Sequence, residues 1–486
     1  MMRNAFLLIL AALVIATQFM NMRKSAGGPV GGKVYWSTVI NPMHNKYTWL
    51  FRQWLSNQPG AMDTEVSVDV NSQGRQKTVI QGVSGVAADV ITVHNFDVPF
   101  YEGIGIMQNL DAFPDLADQV RKNLERTPEI SYYLLQHGNL YGVPMRIHAN
   151  AYMINLDALK AAGMAPPPLA PTLDQFEAMA REFCAKGNKG RARREIFYAD
   201  RVGLDLLLHA SGLSFLNETG TGAAAFDEPR RRLMDRYERW VYEEHLIPTP
   251  AEWQSFNVDQ NYSPSFSLFC RNQFAAIRGG KWFAIFMRQV KNPVTMGTML
   301  PPNGGYPVTD FVFGGISMYR NSPRKEAAAW YLRYFLSSNY NKELARDSDG
   351  LPPDTRYWSD PELLRPSKYT NEWAFHEPYT NIFYNHSCAP EDTPFAQSTQ
   401  YDRARGQFGY WDARHKTAEE SWQLFAQYFD EEIKRNLKHK PADKPRFEAA
   451  VKLQAKIDEY KASGKKIPSE WIANPFLRKY YKDSGK

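Results

Sequence analysis

The first hundred residues carry two hydrophobic periods in turn. Val34, Tyr35 and Trp36 form a short apolar run, and a polar stretch over 37–45 follows it. Trp49, Leu50, Phe51, Trp54 and Leu55 then recur at helical spacing until Gly60. This predicts a strand, a loop and an amphipathic helix. The stretch 66–70 alternates like a half-buried strand, 73–83 reads as a second helix with Gly82 and Gly85 at its end, and 86–93 is the apolar run of a buried strand. Strand, helix, strand, helix, strand predicts a parallel sheet with right-handed crossovers.

The pattern continues in that style. Tyr141, Gly142, Val143 and Pro144 open a stretch in which Arg146, His148 and Asn150 alternate, so an extended backbone puts all three on one face. Residues 152–155 predict a strand and 156–160 a short helix. Thr172, Leu173, Asp174 and Gln175 spell a capping box ahead of the apolar face Phe176, Met179, Ala180 and Phe183. An apolar helix is predicted over 202–215, and Pro229 suits the first turn of another. Residues 311–318 read as a strand with a glycine pair. Ser322 is a good N-cap with Pro323 behind it, and Ala327, Trp330, Tyr331, Tyr334 and Phe335 form the buried face of the helix that follows. Thr417 to Glu420 precede a long helix reaching about 437, and 447–465 predicts one more.

The stretch 269–302 is the most informative. Phe274, Ala275, Ala276 and Ile277 form a buried strand stopped by Gly279 and Gly280, and Trp282 follows at once. Glycines let the backbone approach closely, so the next large side chain projects into the space beyond. An indole there offers a flat apolar face suited to a sugar ring, or fills the core between its neighbours. A second apolar run, 283–287, and a further strand, 294–300, closed by Pro301 and Pro302, complete the stretch.

These segments, in this order, resemble extracellular solute-binding protein family 1, the maltose-binding-protein-like substrate-binding proteins of carbohydrate-uptake ABC transporters. The resemblance rests on Gly280-Lys281-Trp282, on Ala88-Asp89-Val90 with the 105–110 segment, on Tyr141-Gly142-Val143-Pro144 followed by 152–163, and on Gly314-Gly315 with 322–330 and Gly350 to Pro352. Ile154 and Leu173 depart from the family's aromatic residues, and the tail beyond about 440 has no counterpart. The implied fold is α/β, periplasmic-binding-protein-like type II, with two α/β lobes and a hinged cleft between them. Lobe one is expected over 31–146 with 292–353, and lobe two over 147–291 with 354–486, including a C-terminal helical extension. The implied ligand contacts are Trp282 above all, then Trp36, Ser37, Asn41, His94, Asn95, Asp97, Arg146, His148, Gly314 and Trp373; Phe96 also falls at the strand exit. Arg146 is equally open to a salt bridge near the hinge. The implied function is capture of a carbohydrate and delivery to ABC permease subunits, by a monomer, with no catalytic residue, metal or cofactor.

Composition adjusts this picture little. The chain has 486 residues, enough for two compact units, and aromatics make up 14%. A net charge of +6 and the lack of basic patches with interleaved aromatics argue against nucleic acid. Arg3 followed by an unbroken apolar run over 5–16 has the shape of a signal peptide, and the uncharged stretch 4–22 is also long enough for a tilted membrane anchor. Either reading sends the rest of the chain out of the cytoplasm, with the first 30 residues as leader or anchor plus linker. The three cysteines, Cys184, Cys270 and Cys388, have no metal-ligand spacing and read as free thiols, with one disulfide open. No Gly-x-Ser-x-Gly elbow, phosphate loop or His-Glu-x-x-His occurs. A glycosidase carboxylate pair has no local motif, so a carbohydrate-active enzyme stays the alternative, beside a sensory or adhesive sugar-binding role.

Overall fold

The computed structural model describes residues 32–485 apart from 72, 73, 96, 257–263 and 348. The N-terminal apolar segment and Phe96 therefore lie outside the described residues. The chain divides into two compact units, Met1–His148 with Val312–Leu363, and Ala149–Phe311 with Leu364–Lys486. It passes from one to the other at 148/149, 311/312 and 363/364.

The first unit is built on a sheet in the order Glu65–Val70, Lys33–Thr38, Val90–His94 and the 312–318 part of Thr309–Met318, with the 143–148 part of Val143–Ala149 also paired to the last. The first three strands run parallel, and residues 314–318 run antiparallel to Val90–His94. The helix His44–Leu55 buries His44, Tyr47, Phe51 and Leu55, a stripe spaced by three or four residues. Against it pack Tyr331, Tyr334 and Tyr340. Each such ring withdrawn from water contributes roughly 1.5–3 kcal/mol before conformational entropy is subtracted.

The second unit has a four-stranded sheet in the order Met296–Met299, Ala151–Asn155, Phe274–Gly279, Phe197–Ala199. The capping box suggested by the sequence forms, Thr172 with Gln175 starting Leu173–Gly187, and Thr417 with Glu420 makes another at the start of Ala418–His439. The tail helices Lys444–Ala462 and Pro475–Ser484 belong to this unit. Ile457, Ile467, Ile472, Phe476 and Leu477 form a buried cluster with Val308 and Cys388.

Four expectations change. Residues 292–311 group with the second unit, because Met296–Met299 pairs with the 152–155 stretch there, and 354–363 group with the first. The helix expected over 202–215 is only Leu204–His209: Gly212 takes a left-handed φ of 69°, and Ser214 beyond it turns its hydroxyl to Glu391. The helix expected to start behind Ser322 begins at Lys325. Ser322 Oγ donates to Asp89 (2.7 Å) and accepts from the Arg324 amide, which ties down a turn instead. The strand read over 86–93 is Val90–His94. All three cysteines are free thiols. Among the described residues no helix is long and apolar enough to cross a membrane.

Candidate functional site

In the first unit the parallel strands end at Thr38, Val70 and His94. Ligands of open α/β sheets sit beyond such carboxyl ends. Gly314 lies opposite His94 in the antiparallel pairing. Asn95 Oδ1 accepts the Phe313 amide at 2.6 Å, which fixes the strand exit to the same neighbour. Asp97 opens the helix Asp97–Gly103 and accepts from the His94 amide (2.8 Å) and from Arg75 Nε (2.8 Å). Burial would raise the Asp97 carboxyl, but the hydrogen bond from His94 and the Arg75 charge hold it below the usual range. Its role is to fasten the turn, while the His94 side chain remains 42% exposed. Ser37 is buried, and its Oγ has no hydrogen-bond partner among the described residues.

Trp36, expected as a ligand contact, is not available to one. Its side chain is fully enclosed, its Nε1 donates to Thr92 Oγ1 at 2.9 Å, and its ring lies against His44 (4.4 Å) and Tyr331 (5.6 Å). Alternation along the strand sends Trp36 into the helix-covered core and Ser37 to the other face. Arg146 is also committed. Its Nη1 lies 3.0 Å from Asp349 Oδ2, and Asn41 Nδ2 donates to both oxygens of the same carboxylate at 3.0 Å. His148 is buried on the same strand. Gly350 holds φ 133°, and a Cβ there would come within 2.9 Å of His148 Cε1 and 3.0 Å of Arg146 Cβ, so only glycine fits this approach.

In the second unit, Phe274–Gly279 ends in the turn that carries Trp282, immediately before the short helix Phe283–Met287. A Cβ at Gly279 would stand 2.6 Å from Met153 Cε and from Phe283 Cδ2, which explains the glycine. Trp282 is half-buried: its ring rests on Phe283 (4.5 Å) and meets Phe286 edge-on (5.7 Å, 88°). It is thus supported from one side and partly open on the other.

Behind this turn lies a buried polar cluster that the sequence did not reveal beyond the central residue of Gly280-Lys281-Trp282. Tyr379 Oη donates to the Ala149 carbonyl (2.8 Å) and accepts the Lys281 amide (3.1 Å), pinning the turn to the start of this unit. Glu372 accepts two hydrogen bonds from Arg288, at 2.9 and 2.8 Å, and pairs with His376 Nε2 at 2.6 Å. Burial, with the Arg288 charge, pushes the Lys281 amine down to about 7, against the pull of Glu372. Burial, with the Lys281 charge, likewise takes His376 down to about 3. Trp373 is 43% exposed, with its Nε1 donating to the Pro366 carbonyl. It lines a cavity of about 840 Å³ together with Pro166, Leu169 and Thr298, and Trp282 is not in that wall. Among the described residues no group of three or more His, Cys, Asp or Glu side chains is arranged to hold a metal ion.

A family model described as bacterial extracellular solute-binding protein matches residues 61–375. Among solved structures, the chain is similar to an ABC substrate-binding protein from Listeria monocytogenes in complex with cycloalternan, with a TM-score of 0.68 at 16% identity over 82% of this chain and 98% of that one. It is similar to the GacH receptor of Streptomyces glaucescens, studied with acarbose, with a TM-score of 0.64 at 16% identity over 83% and 98%. A third is the maltose/maltodextrin-binding domain of Bdellovibrio bacteriovorus bound to maltotriose, with a TM-score of 0.62 at 15% identity over 84% and 100%. No curated protein matches the chain.

Proposed function

Because the chain belongs to the bacterial extracellular solute-binding proteins, we propose that it captures a carbohydrate outside the cytoplasmic membrane and delivers it to the permease subunits of an ABC transporter. The two units serve as the lobes of this fold. The N-terminal apolar stretch exports the chain or anchors it. The protein acts as a monomer and binds without turnover.

The observation that carries this reading is Trp282. A tryptophan held from one side by Phe283 and Phe286, partly open on the other, and raised on a glycine turn is a platform for the C–H face of a sugar ring. In the first unit, Ser37 and the exposed His94 at the strand ends supply polar groups for hydroxyl recognition. The similar proteins that hold cycloalternan, acarbose and maltotriose support the same ligand class.

A thermal-shift screen over mono- and oligosaccharides tests it. A sugar at 100 times its dissociation constant adds roughly 2.7 kcal/mol to the state that binds it. A stabilising sugar that is recovered unchanged supports capture. Hydrolysis of that sugar supports the enzyme instead, and a panel without any shift argues for a non-sugar solute.

A further inference from the structure

Trp54 stands between two depressions on the first unit. One, of about 660 Å³, is lined by Trp54, Trp330, Arg333, Asp115, Asp118 and Lys122. The other, of about 360 Å³, is lined by Trp54 with Asn57, Asn339, Lys342, Glu343 and Arg346, of which Glu343 is paired with Arg346 and Lys46. Trp54 lies in the last turn of His44–Leu55, and the wall continues through Gln58 and Pro59 toward Glu65, where the second strand begins. Glu65 pairs with Lys33 at the amino end of the sheet, so the groove lies opposite Thr38 and His94.

We propose that this groove is a second saccharide-binding site, separate from the one at Trp282. Its two half-buried indoles lie 6.3 Å apart at 58°, presenting apolar walls in two orientations. The Arg333 guanidinium lies 4.9 Å from the Trp330 ring centroid, which orients that ring. Among the described residues, no side chain hydrogen-bonds to Asp115, Asp118, Gln119 or Lys122, so their donors and acceptors are available to a ligand. Two carboxylates face two cations in the wall, so the local charge cancels. That balance disfavours phosphate and polyamines and suits a neutral ligand rich in hydroxyls. The continuation past Trp54 into a second polar depression suits more than one sugar ring.

The proposal uses none of the residues of the first site and stands without it. The full chain labelled with 5-fluorotryptophan carries 12 reporters. The resonances of Trp54, Trp330 and Trp282 are assigned by single Trp→Phe variants, and maltoheptaose, cellohexaose and inorganic phosphate are titrated separately into the millimolar range. The expected result is a saturable shift of the Trp54 and Trp330 resonances together, with an oligosaccharide. The midpoint is unchanged in Trp282→Ala and weakened about tenfold or more in the Asp115→Ala/Asp118→Ala variant, whose replaced side chains are exposed. The proposal is overturned if neither resonance moves with either oligosaccharide, if they move with phosphate alone, or if their shift disappears in Trp282→Ala. A still Trp282 resonance beside moving Trp54 and Trp330 would count against the first site only.

Discussion

Arg146 and Asp349 form a buried ion pair: Nη1 lies 3.0 Å from Oδ2, and the two side chains are 6% and 0% exposed. Asn41 satisfies the remaining acceptors of the carboxylate. The pair ties the strand Val143–Ala149 to the 349–351 segment, which Ile147 also holds through two backbone hydrogen bonds with Leu351. The strand ends where the chain changes unit, at 148/149.

Removing one member of such a pair leaves a charge without water or partner. Asp349→Asn is expected to destabilise the protein by about 3–5 kcal/mol. Replacing an exposed ligand-binding arginine or its partner would instead weaken binding at nearly constant stability. Urea unfolding beside a saccharide titration separates the two. A variant that unfolds at the parent's midpoint while losing ligand would return Arg146 to the ligand site.

Trp282→Ala is expected to lower sugar affinity about tenfold to hundredfold, the equivalent of roughly 1–3 kcal/mol from partial burial of an indole face. The ring is already partly exposed, so the unliganded melting temperature should change little. A core tryptophan would cost about 3–5 kcal/mol of stability. Parent-like affinity, or a collapse in melting temperature without ligand, would refute the platform role.

Local chemistry was legible in the sequence, and partnerships over long separations were not. The Thr172 capping box, the Phe274–Gly279 strand and the glycine turn before Trp282 depend on residues within a few positions of each other. Trp36 was misread because a strand's exit can be located from its pattern, whereas the face each residue takes depends on which helix covers the sheet. The stretch 292–311 was given to the other unit because its allegiance rests on pairing with residues more than a hundred positions away. Arg146 with Asp349, and Glu372 with Arg288, belong to the same class: each side chain is ordinary where it stands in the sequence and becomes constrained only by its distant partner.

His209 shows what such a distant partner does to charge. Its Nδ1 lies 2.8 Å from Asp310 Oδ1 and its Nε2 3.4 Å from Glu391 Oε1, all three side chains being buried in the second unit. Burial alone would lower the imidazole pKa; the charge and hydrogen bond of Asp310, with the Glu391 carboxylate close to Nε2, lift it from 6.5 to about 10. A raised pKa stabilises the fold when the group is charged. The contribution is therefore complete below about pH 6.5 and is lost as the pH climbs through about 10. Unfolding free energies of the parent and of His209→Asn, measured at several pH values across that window, should converge as the pH rises. Parallel curves would show that His209 is neutral in the folded protein.

The C-terminal extension has no counterpart in the motifs that first suggested the family, yet it closes part of the second unit's core. Phe476 is fully buried and stacks on His209, with ring centroids 4.1 Å apart and planes at 20°. Around it, Ile457, Ile472 and Leu477 cover Val308 and Cys388. Asn474 caps the last helix through the Phe476 amide and also donates to Ser214 Oγ at 3.0 Å, joining the tail to the Glu391 network. Phe476→Ala removes a buried ring and the wall beside a charged imidazole. The expected cost is about 3–5 kcal/mol, read as a lower urea midpoint with an unchanged slope. Tyr480→Ala is the control, because this ring is only partly buried, and it should cost less. If the extension were an appendage, Phe476→Ala would melt with the parent, and removal of residues 444–486 would leave the rest of the unit as stable as before. The enclosed Phe476 ring predicts the opposite: truncation exposes Val308 and Cys388 to solvent and leaves His209 without its stacking partner, so the shortened chain should unfold at a lower denaturant concentration than the full one.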